Sequence, residues 1–165
     1  MATLTVIHVV LSLAGIGSGV VVLRGLLRGA RLDGWTAIFL TTSIATTLSG
    51  FVFPYHGFLP VHGVGVASII ALAVAIVARY GRRLAGNWRA MYAVSAVAAL
   101  YLNVVVLVAQ LFMKVPALAA MAPTLAERPF VISQVALFVL FAGLAIAAVR
   151  QFRVPFNSID RSIDR

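Results

Sequence analysis

The sequence predicts an all-α integral membrane protein, a compact bundle of five transmembrane helices with the N-terminus outside and the C-terminus in the cytoplasm. Three observations carry that expectation. Hydrophobic residues make up 62% of the chain and charged residues only 10%, against about 25% charged in a soluble domain. The apolar residues fall into five runs, each near the ~20 residues that cover a ~30 Å hydrocarbon core. The arginines gather in alternate connections between those runs, as the positive-inside rule requires. With so little charge, most of the surface must face something other than water.

The first run is Leu4 to Leu23. Its first positive charge, Arg24, comes after the apolar stretch, so the basic lead of a cleavable signal peptide is missing and the run reads as a retained span. Gly15 and Gly19 stand at the i, i+4 spacing that lets helix backbones approach. The second run, Trp35 to Phe53, carries Thr41, Thr42, Ser43, Thr46, Thr47 and Ser49. Such hydroxyls bond back to their own helix carbonyls, or together line a polar path. The third run, Val61 to Tyr80, has a small-residue stripe of Gly65, Ser68, Ala71 and Ala75. The fourth, Ala90 to Phe112, has Ala96 and Ala99; the fifth is Phe130 to Val149, and residues 153–165 form a polar tail. Inside lipid the backbone must satisfy itself, so these runs are helices. A barrel would need alternating strands, and the alternation is absent.

Orientation follows from the connections. Arg24, Arg28 and Arg31 separate the first two runs; Arg79, Arg82, Arg83 and Arg89 separate the third and fourth. Arg150, Arg153, Arg161 and Arg165 follow the fifth, whereas the opposite side holds only Lys114 and Arg128. The basic connections are therefore cytoplasmic. This accounts for the net charge of +9 without nucleic acid, for which no basic, aromatic-interleaved soluble segment exists. The absence of cysteine excludes disulfides, thiolate zinc sites and cysteine-held iron–sulfur clusters. The connection from Lys114 to Pro129 contains Pro116, Pro123 and Pro129 around an apolar Ala117 to Ala122. It reads as a short helix on the outer surface or as a plain loop. Gly34 to Phe39 and Asn87 to Tyr92 resemble each other and each opens a span. Either a hairpin repeat or two independent interfacial tryptophans, Trp35 and Trp88, explains this.

The stretch from Phe53 to Gly63 concentrates two histidines, two prolines and a tyrosine. It reads as a turn between spans two and three at the outer surface. Polar groups in lipid are costly and need partners, and here they share a depth. His8, Gln110 and Gln134 fall in the outer half, His56 and His62 in or beside the turn, and Asn103 near mid-membrane. Asn103 and Gln110 are seven apart and share a helix face. These residues, with Tyr55 at the rim, predict an outward-facing pocket for a small or lipid-like ligand. His8 and His62 would be ligand contacts and the amides hydrogen-bond donors and acceptors.

Three kinds of function fit that pocket. The first is a non-enzymatic accessory or interaction component, whose polar groups bond across helices and whose partners are membrane lipids, other membrane subunits or further copies of the chain. The second is a redox protein, with His8 and His62 holding a single haem b or with nearby Gln and Tyr holding a quinone. A metal site from His8, His56 and His62 is a weaker variant, because imidazole sites usually need close spacing or a carboxylate neighbour. The third is a channel or transporter for a neutral solute, since no charged residue falls mid-membrane. No nucleophile–base constellation accompanies the serines, so catalytic residues are not expected.

Gly50 to Phe58, continuing through His62 to Gly65, resembles small uncharacterised multi-pass membrane proteins of proteobacteria. So does Tyr101 to Val104, followed by Gln110 and Lys114 to Leu118. The resemblance covers Trp35 to Phe152. It implies a bacterial inner-membrane location and carries no activity and no site residues.

Overall fold

A computed structural model describes residues 2–52 and 60–152. All its regular structure is helical: α1 (Ala2–Leu27), α2 (Asp33–Phe51), α3 (Pro60–Ile76, continued by a π-helical turn at Val77–Gly81), α4 (Trp88–Lys114), α5 (Pro116–Met121) and α6 (Arg128–Gln151). The described parts of the apolar runs fall in α1, α2, α3 with its π turn, α4 and α6, and of the two readings of the stretch after Lys114 the short helix is present, as α5. Among the described residues, four segments are long and apolar enough to cross a membrane: Thr3–Leu27, His62–Gly81, Trp88–Lys114 and Arg128–Gln151. α2 is not one of the four, since seven of its 19 residues are Ser or Thr.

The breaks between helices have local causes. α1 ends in a Schellman motif. The amide of Gly29 donates to the Leu26 carbonyl at 3.1 Å and that of Ala30 to Gly25 at 2.9 Å. Gly29 sits at φ 66°, where a Cβ would be strained. α4 stops because Pro116 forces Val115 out of the helical region, to φ −88°, ψ 116°. Pro116 and Pro129 then occupy the first turns of α5 and α6, where a missing N–H costs nothing. Between α3 and α4, the π turn closes with the Arg82 amide on the Val77 carbonyl at 2.8 Å. Arg83 and Leu84 follow at positive φ, an unusual conformation for such side chains that coincides here with burial of Leu84 in the core.

The core is gathered at the arginine-rich end. It takes Val22, Leu23 and Leu26 from the end of α1, Phe39 and Leu40 from α2, and Ala75 and Ala78 from the end of α3. α4 supplies Tyr92, Ala93, Ala96, Val97, Ala99 and Leu100, and the end of α6 supplies Ala148, followed by Phe152. α4 is the hub, packed against α1, α3 and α6, while α2 packs on α1 and α3. Small residues permit this. A Cβ on Gly19 would meet Leu100 Cδ1 at 2.7 Å and Phe39 Cε2 at 2.8 Å, so the three helices meet where α1 has no side chain. At the opposite end the same helices diverge.

Candidate functional site

The divergence leaves a cavity of about 450 Å³ where α1 starts, α2 ends, α3 starts and α4 ends. Its wall takes Thr5, His8 and Ser12 from α1, Thr46 and Thr47 from α2, His62 and Ser68 from α3, and Asn103, Gln110 and Lys114 from α4. Val9, Leu13, Val64, Val106 and Leu107 fill the spaces between. The volume lies within the ~300–1,000 Å³ of sites that enclose a small molecule.

Hydrogen bonds fix several of these groups. Ser49 Oγ donates to the Thr46 carbonyl at 2.9 Å, which spends its only proton. His8 Nδ1 lies within hydrogen-bond distance of the same Oγ, at 2.8 Å. Asn103 Nδ2 donates to the buried Ser43 Oγ at 3.0 Å. The His62 ring lies against Phe51, centroids 6.1 Å apart and tilted by 42°. Ser12, Thr47 and Ser68 donate to the carbonyls four residues back, at 2.8, 2.9 and 2.8 Å, as expected for hydroxyls in an apolar helix. Thr46 departs from that pattern. It is only 7% exposed, and its Oγ1 is buried with no partner among the described residues. A buried hydroxyl without a partner carries a desolvation cost, and this one stands in the wall of the cavity.

Of the residues the sequence singled out, His8, His62, Asn103 and Gln110 meet around this one space. Tyr55 and His56 lie outside the described residues. Gln134 is on α6, which contributes nothing to the described wall; its Nε2 is buried away from any partner among the described residues. Among the described residues no group of three or more His, Asp or Glu is placed to hold a metal ion.

Two features escaped the sequence reading. Lys114 counted as a connection charge, yet α4 continues to it and carries it into the wall. Its distance from Gln110 and Asn103, four and eleven residues, was the available signal, because those spacings share a helix face. Arg79 also counted as a connection charge. Its side chain is 4% exposed and ion-paired with Asp33, which is 79% exposed. The guanidinium lies over the ring of Tyr92, 5.2 Å from the centroid, and 5.8 Å from that of Tyr80. The Tyr92 hydroxyl is 3.1 Å from Thr36 Oγ1, so this cluster ties the starts of α2 and α4 to the end of α3. Its signal was Asp33 itself, the sole acid before Glu127 in a chain of 13 cations.

The cavity can therefore donate and accept hydrogen bonds and presents one fixed positive charge. Comparison with known protein families, curated proteins and solved structures found no match.

Proposed function

We propose that this chain is a non-enzymatic multi-pass membrane protein of the bacterial inner membrane, an accessory or interaction component. Its cavity, bounded by His8, His62, Asn103, Gln110 and Lys114, holds a small or lipid-like ligand. The observation that carries this reading is the convergence of polar side chains from four helices on one space, in a chain where polar groups at membrane depth are scarce. In the proposed topology α2 is a fifth span; its 19 residues reach about 28 Å at 1.5 Å each. The N-terminus then lies outside, the arginine-rich end faces the cytoplasm and the cavity opens outward. The resemblance noted in the sequence supports the inner-membrane assignment.

Two experiments test the proposal. The chain has no cysteine, so single cysteines report on a blank background. An impermeant maleimide applied to intact cells should label Thr124→Cys and not Arg82→Cys; the reverse pattern refutes the orientation. For the ligand, mass spectrometry of extracts from purified protein should find a small amphiphile that is lost in Val106→Trp, which fills the cavity. Equal recovery from both proteins refutes a ligand in this space.

One observation favours a second reading. His8 and His62 line the same cavity, and imidazoles from two helices are the side chains that hold a haem between them. A Soret band near ~410 nm in the purified protein, lost in both His8→Ala and His62→Ala, would establish it. A colourless preparation from haem-supplemented cells would refute it.

A further inference from the structure

We infer that the cavity takes an amphiphile with an anionic headgroup, its head held by Lys114 and Gln110 and its chain laid in the groove between α3 and α4. This rests on the proposal that the cavity is a ligand site, and adds the class of ligand. Three observations lead to it.

The first is charge. Lys114 is the only permanently charged residue in the described wall, and no carboxylate stands there with it. An ammonium with no acid beside it, at the rim of an otherwise neutral cavity, complements an anion. The second is the donor beneath it. Gln110 lies one helical turn below Lys114, lines the same cavity and offers an amide N–H. A carboxylate or phosphate accepts through several oxygens at once, and hydrogen bonds to a charged acceptor are the strong ones.

The third is a path for a chain. A second, almost wholly apolar groove of about 640 Å³ runs between α3 and α4, lined by Ala67, Ile70, Val74, Val94 and Ala98, among others. Leu102 belongs to both walls. The polar cavity and the apolar groove therefore adjoin at one side chain, about 18 Å along α4 from Lys114 at 1.5 Å per residue. A head at Lys114 and an alkyl chain passing Leu102 match the order of polar and apolar surface.

The test is binding of radiolabelled palmitate to the full chain in nanodiscs, with methyl palmitate and hexadecyltrimethylammonium as competitors. Lyso-phosphatidylglycerol is measured in a parallel arm. Palmitate or the lysolipid should bind, and the tighter of the two identifies the source of the anion. The ester and the cation should compete poorly. Lys114→Gln should weaken binding about tenfold, the loss of one charge-assisted bond. Ala98→Trp, which blocks the groove, should weaken palmitate but not octanoate, whose chain ends before it. If the methyl ester competes as well as palmitate and Lys114→Gln binds normally, the anionic class is refuted; loss of that binding in Val106→Trp would then leave the cavity reading standing. If Val106→Trp binds like wild type, the cavity reading falls with it.

Discussion

Replacing Gly19 by alanine adds a single methyl group at the tightest point of the bundle, and the structure sets its sign. The new Cβ would lie 2.7 Å from Leu100 Cδ1, 2.8 Å from Phe39 Cε2 and 3.0 Å from Phe39 Cδ2. Carbon atoms at van der Waals contact stand ~3.5–4.0 Å apart, so something must move by nearly an ångström. Leu100 and Phe39 are each 1% exposed and have no free space to retreat into. Overpacking of this kind costs about 1–3 kcal/mol. Against it stands the helix preference of alanine over glycine, about 1 kcal/mol. The steric term wins, and a net loss of about 1 kcal/mol follows, or a fall in Tm of roughly 2–4 °C for a chain of this size. The internal control is Gly143→Ala, where an added Cβ meets nothing within 4 Å; only the helix preference operates there, and Tm should hold or rise. Both are measured by thermal unfolding in detergent, followed by helical circular dichroism and by loss of the monodisperse chromatographic peak. The reasoning is refuted if Gly19→Ala is as stable as wild type, or if Gly143→Ala falls as far.

Three further outcomes are expected. Arg79→Lys should destabilise by about 1–3 kcal/mol and by more than Arg79→Met: lysine keeps a charge to bury but loses the flat faces on Tyr92 and Tyr80, whereas methionine removes the charge. Denaturant titration in mixed micelles ranks the two, and the opposite order refutes the stacked arrangement. A double-mutant cycle between Asn103→Leu and Ser43→Ala should give a coupling of about 0.6 kcal/mol, and at most ~2; zero coupling shows the bond between them to be incidental. Glu127 precedes α6 and accepts from the Thr124 hydroxyl at 2.8 Å and from the Thr124 and Ala126 amides at 3.2 Å. The Thr124 hydroxyl, with smaller help from backbone amides, holds the Glu127 carboxyl below its ordinary range. A depressed carboxylate contributes its order fully above the unfolded value and loses it as pH falls through the folded one. Hydrogen exchange at Thr124 and Ala126 should therefore accelerate, beyond its intrinsic pH dependence, as pH drops below the ordinary glutamate range. In Glu127→Gln that extra acceleration should be absent.

The helical character of the chain and its long apolar stretches were legible because length and apolarity are local properties. Among the described residues, the runs ending at Leu23, Tyr80, Phe112 and Val149 lie in helices ending at Leu27, Gly81, Lys114 and Gln151; Phe53, the expected end of the second run, lies outside the described residues. The positions of His8, His62, Asn103 and Gln110 along their helices were legible too, since they follow from counting residues along each helix. The helix rotations were not. A soluble helix shows its buried face by contrast with a polar one, but these helices are apolar nearly all round, and lipid is no more polar than the core. Gln110 and Gln134 look alike in the sequence, yet one lines the cavity and the other does not. Gly15 and Gly19 look equivalent, yet Gly19 is pressed against two buried side chains while Gly15 faces Ser43, Thr42 and Asn103 at 3.3–3.7 Å.

The sequence by itself thus determined an all-helical chain with long apolar helices and basic residues clustered in particular connections. Only the tertiary structure decided that the core is gathered at the arginine-rich end and that the polar residues at the other end surround a common space. It also turned Lys114 and Arg79 from connection charges into a cavity rim and a buried clamp. The physical reason is that pitch and hydrophobic length belong to one helix, whereas convergence of side chains depends on the rotation of several helices about their axes. In an apolar setting that rotation is decided by close packing, at contacts such as Gly19 with Leu100 and Phe39, and by a few hydrogen bonds such as Asn103 to Ser43. Both are relations between distant parts of the chain.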